Sequence, residues 1–115
     1  MRASRKDDER VSPPSSTKAR DIAPHAEKAA ALLKALGNQQ RLMILCNLLD
    51  GPLAVGELNA RIGLSQSALS QHLAVLRDAN VVATEREAQT IYYSLPKGLV
   101  TKIIGVLYRE FCEDG

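Results

Sequence analysis

The chain has 115 residues, 45% of them hydrophobic and 24% charged, which suffices for one small domain and is too short for catalysis across an interdomain cleft. With 15 Lys and Arg against 13 Asp and Glu the net charge is +2, which excludes a strongly basic coat for non-specific nucleic-acid binding but not a sequence-reading DNA binder. Three Tyr, one Phe and no Trp argue against single-strand binding on aromatic platforms.

Residues 1–24 hold six basic and four acidic residues, three of the five prolines and few large apolar side chains, so they are expected to form a disordered tail. The remaining segment, residues 25–115, carries nine residues of each sign and is neutral, so the whole net charge lies in the tail. The start MRASRKDDERVS lacks the apolar centre of a secretory signal, and no apolar run approaches the roughly 20 residues that span a bilayer. A cytoplasmic protein without membrane association is expected.

From residue 25 the segment HAEKAAALLKAL is rich in helix formers and stops at Gly37. Asn38 can cap a second helix over residues 39–49, with Leu42, Leu45, Cys46 and Leu49 at helical spacing. Asp50, Gly51 and Pro52 break it. A third, short helix covers residues 55–62, and Gly63, Leu64 and Ser65 turn the chain into a fourth over residues 66–79. The period then changes: residues 81–85 and 90–95 alternate with β-branched and aromatic content, giving a hairpin around Glu87, Ala88 and Gln89. Pro96 suits the first turn of a last helix, residues 97–112, with Leu99, Ile103, Leu107 and Phe111 at i, i+4 spacing.

This order is that of a winged helix-turn-helix, mainly α with a small β-hairpin. Its centre is VGELNARIGLSQSALSQHLAVLR, residues 55–77, in which Gly63 permits the tight turn and Ser65 can cap the second helix. Leu69, Leu73 and Leu76 form one apolar stripe. The opposite face offers Ser67, Gln71 and Ala74, with Gln66 and Ser70 near the amino end: small, uncharged, hydrogen-bonding groups suited to base edges in a major groove. His72, close to the apolar stripe, fits a structural or phosphate-contacting role better than base reading. Arg61, Arg77 and Arg86 are candidate phosphate contacts, with solvated surface charge the bland alternative.

Together with ALLKALGNQQRLMILCNLL and the strand QTIYYSL, these segments resemble the ArsR/SmtB family of bacterial dimeric repressors over about residues 26–112. The resemblance implies a homodimer joined through the first and last helices, here through Leu32, Leu33, Ile103 and Leu107, that binds an inverted-repeat operator in double-stranded DNA and is not an enzyme. The thiol pair common in metal-sensing relatives is missing from residues 53–58, and TKIIGVLYREFCEDG lacks His, so neither a metal site nor a cofactor is expected. Cys46 and Cys112, 66 positions apart, are similar in place and separation to the pair of the sulfide- and persulfide-responsive BigR/SqrR-like subgroup, while LSQSALSQHLAVLR is also NolR-like. In that subgroup reactive sulfur species link the two cysteines by a di- or polysulfide bridge, which lowers operator affinity. Silent cysteines with another inducer, or a general thiol-oxidant sensor, are the alternatives. The hairpin tip, Glu85 to Gln89, has a net charge of −1 and no Gly, unlike the more basic, tighter wings common in the family, which leaves Arg86 and Gln89 as its DNA-contact candidates.

Overall fold

The structure is a computed structural model and describes residues 15–113. Contacts divide the chain between Ala31 and Leu32, inside a helix and beyond the expected boundary after residue 24. In the first unit, α1 (Ser15–Ile22) runs through a 3₁₀ turn (Ala23–His25) into α2 (Ala26–Leu36). Of the expected tail, residues 1–14 lie outside the described residues, and the rest departs from the expectation by being helical. Its side chains are exposed from Thr17 onward, so the propensity of Lys18, Ala19 and Arg20, not burial, accounts for the helix.

In the second unit α2 stops where the Gly37 N–H donates to Leu33 O at 2.9 Å. Helix α3 (Gln39–Asn47) follows, capped by Asn38, whose side-chain oxygen accepts from the Arg41 N–H at 3.0 Å. A strand absent from the sequence expectation, β1 (Leu53–Ala54), leads into α4 (Val55–Ile62), where the Glu57 carboxylate accepts from the Ala54 N–H at 2.8 Å. Gly63 adopts φ +78°, a left-handed conformation that ends α4 at little steric cost. Ser65 then caps α5 (Gln66–Asp78), its hydroxyl oxygen accepting from the Ala68 N–H at 3.1 Å.

Strands β2 (Ala83–Glu87) and β3 (Thr90–Ser94) complete an antiparallel sheet in the order β1-β3-β2. The hairpin begins two residues later than expected because the Val81 N–H is used in closing α5, donating to Leu76 O at 3.0 Å, so Val81 lies outside the ladder. Glu87 pairs with Thr90, leaving a two-residue turn at Ala88 and Gln89; Ala88 takes the positive φ, 58°, that glycine would adopt more easily. The wing turn is therefore tight, correcting the expectation drawn from its lack of glycine.

The last helix, α6 (Leu99–Tyr108), also starts late: Gly98 at φ +109° is non-helical, and Pro96 lies before it. A π turn (Arg109–Glu113) follows and changes the angular phase, so Phe111 does not extend the expected stripe and is 81% exposed. While Ile103 and Leu107 of the i, i+4 series pack only partly against the core, Val100 and Ile104 are the α6 residues that enter it. They join Ile44 and Leu45 of α3, Leu58 of α4, Leu69, Leu73 and Leu76 of α5, and Val81, Val82 and Tyr93. Apolar burial of about 1.5–3 kcal/mol for each large side chain holds the helix-turn-helix to the wing and α6.

Candidate nucleic-acid interface and thiol cleft

The three leucines of α5 point into the core, which turns Gln66, Ser67, Ser70 and Gln71 to the opposite, exposed side. The Ser65 cap uses one N–H of the first turn and leaves others at the same end to meet an acceptor such as a phosphate oxygen. Hydrogen-bonding side chains and a helix amino end thus share one surface without a lysine or arginine among them. Arg61, Arg86 and Gln89 are exposed.

Two cations hold α5 in place. Arg77, near its carboxyl end, donates to the hydroxyl of buried Tyr93 on β3 and lies 5.9 Å from the ring centre. That contact ties the helix to the wing, so part of the guanidinium is engaged within the protein while the residue remains exposed. Half-buried His72 faces Arg41 of α3, with Nδ1 3.4 Å from Nη1. Arg41 and Tyr93 were not singled out from sequence, because their roles depend on partners 31 and 16 positions away.

The thiols border one cavity near the carboxyl end of α3. Cys46, half-buried, and Cys112, exposed and unbridged, line one apolar cavity of about 190 Å³ with Leu42, Leu107, Tyr108 and Phe111. Burial pushes the Cys46 thiol above its ordinary pKa, and the neighbouring Cys112 adds to the shift. Cys46 also borders a second cavity of about 300 Å³, lined by Asp50, Arg109 and Glu113 among others. Among the described residues, no three His, Cys, Asp or Glu side chains gather as a metal site.

Of the expected interface residues, Leu32, Ile103 and Leu107 pack partly on the core, while Leu33 is 59% exposed. Leu99, 60% exposed and part of the expected i, i+4 series, forms with Ile103 and the 51% exposed Val106 an apolar stripe on α6, to which only Val106 is an addition.

The model of the bacterial regulatory protein arsR family matches residues 38–84, which run from the cap of α3 into β2. The transcriptional activator HlyU of Vibrio cholerae is 50% identical over 93 residues, covering 81% of this chain and 86% of that protein. The chain belongs to the ArsR family. Another member, the biofilm growth-associated repressor of Xylella fastidiosa, is 40% identical over 92 residues, or 80% of this chain and 81% of its own. The solved structure of reduced HlyU from Vibrio cholerae superimposes with a TM-score of 0.75, covering 81% of this chain and 98% of that one. These ArsR-family relatives are transcriptional regulators, and this chain is likewise a DNA-binding regulator, not an enzyme. No helix among the described residues is long and apolar enough to cross a membrane.

Proposed function

We propose that the protein is a homodimeric repressor that reads an inverted-repeat operator with α5 and releases it when reactive sulfur species bridge Cys46 and Cys112. The observation that carries the sensing reading is the apolar cavity shared by the two thiols, one at the middle of the chain and one near its end. The repressing sense rests on likeness to the biofilm growth-associated repressor; HlyU, also similar, is named an activator.

In the reading unit, Gln66, Ser67, Ser70 and Gln71 face base edges, and Arg61, Arg77, Arg86 and Gln89 serve as candidate contacts to the backbone or wing-side groove. His72 acts from inside the protein, against Arg41. The dimer forms through α2 and α6, where Leu33, Leu99 and Val106 supply exposed apolar surface and Leu32, Ile103 and Leu107 support it from beneath.

In the sensing unit, Cys112 is the more accessible thiol and receives sulfur first: its thiolate takes the outer sulfur of a hydropersulfide RSSH, giving Cys112–S–SH and RSH. Cys46 then attacks the inner sulfur across the cavity, forming a Cys46–S–S–Cys112 bridge and releasing H₂S. A trisulfide forms when both cysteines carry an extra sulfur: the outer sulfur of the Cys46 persulfide attacks the inner sulfur of Cys112–S–SH, and H₂S leaves. Because α3 bears Cys46 and packs on α5, the link between α3 and the end of α6 changes the setting of the reading helix.

The test combines intact mass with operator binding, using a duplex selected from a random library. An alkyl hydropersulfide should remove both thiols of the wild type and weaken binding by about tenfold or more, within the usual range of coupling between sites. Cys46→Ser and Cys112→Ser should keep their affinity under the same treatment. An unchanged wild-type affinity after full bridging would overturn the sensing reading; an equal response to peroxide would make the protein a general thiol-oxidant sensor.

A further inference from the structure

We infer that Arg41 is a positioning residue that fixes the angle of the reading helix against the end of α2 and thereby sets the operator half-site spacing. This rests on the DNA-reading dimer proposed above.

Its guanidinium uses all three nitrogens. Nε donates to Ala35 O at 2.7 Å and Nη2 to Lys34 O at 3.2 Å, which are carbonyls in the last turn of α2. Lys34 O also accepts from the Gly37 N–H at 3.2 Å, so the guanidinium adds a second donor there, and a cation at this end opposes the negative end of the helix dipole. The remaining nitrogen, Nη1, faces His72 Nδ1 of α5 at 3.4 Å. Arginine only donates, so the hydrogen bond requires Nδ1 to be the unprotonated nitrogen, with the ring proton on Nε2.

The Arg41 backbone is itself held, since its N–H donates to the Asn38 cap. One planar group, anchored on the first turn of α3, therefore grips the end of one helix and the middle of another. A planar fork defines direction as well as distance, which the single ammonium of lysine does not. His72 directly follows Gln71 and Ser70, so the grip acts beside the groups proposed to face bases. In a dimer joined through α2, the α2–α5 relation on each protomer determines how far apart the two reading helices lie. Half-sites on DNA lie about one helical turn apart, and a dimer that matches one spacing loses contacts at others.

The experiment measures affinity for inverted repeats whose half-sites are moved apart or together by one base pair, and for a single half-site. Arg41→Gln should lower the preference for the best spacing about fivefold, the low end of ordinary intersite coupling, while leaving single-half-site affinity within about twofold. Arg41→Lys, which keeps the charge without the fork, should also lose much of the preference. His72→Leu should flatten the spacing profile, and the double variant should be no flatter than either single one, because both changes break one link. His72→Leu also keeps the question open to decision if Arg41→Gln does not fold.

Unchanged spacing profiles in the single variants, additive losses, or equal weakening at every spacing and on the half-site would overturn the inference, the last marking a purely structural role. A folded wild type that binds the half-site but shows no spacing preference would overturn the dimer reading, and this inference with it.

Discussion

Helices α4 and α5 meet across a turn built almost entirely from local groups, in which Gly63 takes the left-handed conformation, Ser65 caps, and three leucines of α5 enter the core. The thiol cleft is assembled differently, by bringing together residues 66 positions apart, with one partner on a π turn at the end of α6 and no hydrogen bond needed to join them. A surface built from neighbours in sequence keeps its shape through local bonds. A cleft built from distant segments changes when the packing between those segments changes, which suits a place where a signal enters.

The sharpest contrast is expected on truncating a leucine in each region. Leu69→Ala should cost about 2–5 kcal/mol in denaturant unfolding, because the side chain is fully buried and the site cannot collapse completely. Leu107→Ala, half-buried at the cleft, should cost about 1–2 kcal/mol, scaled from the same truncation by its lesser burial. Equal losses would remove the distinction between a rigid reading unit and an adjustable cleft. Next in size, Ser65→Ala should destabilise by about 1 kcal/mol through loss of the cap and weaken DNA binding without altering thiol reactivity. A variant as stable as the wild type would show that the turn holds without its cap.

The smallest effect concerns pH. Burial first, and Cys112 second, raise the Cys46 pKa, so the folded chain retains that proton where the unfolded chain gives it up. The resulting stability is fully present below the ordinary thiol value of 9.0 and declines as pH rises from there through the raised value. Cys112→Ser removes the second cause and should shift the pH profile of Cys46 alkylation downward, leaving it above the ordinary value because burial remains. Coincident profiles with and without Cys112 would show that the thiols do not sense each other.

The legible parts of the chain were those governed by neighbours: the Asn38 and Ser65 caps, the Gly63 turn and the polar face of α5 all follow from residue type and spacing. Less legible were features in which backbone groups had alternative uses. Val81 closes α5 instead of starting β2, and Gly98 displaces the start of α6. The place of Cys46 and Cys112 was suggested by resemblance, whereas the cavity around them depends on the packing of α3 and α6. Nothing in the spacing of Arg41, Lys34, Ala35 and His72 announces that one guanidinium meets the other three.

The wing's acidic tip has a consequence for solubility. Strand β2 is a sheet edge with all five side chains exposed, so its outer backbone groups could template another strand. If two copies paired antiparallel about Arg86, arginine would face arginine and Glu85 would face Glu87 of the other copy, placing like charges directly opposite. Glu85, Arg86 and Glu87 thus protect the molecule from growing a shared sheet through its own edge.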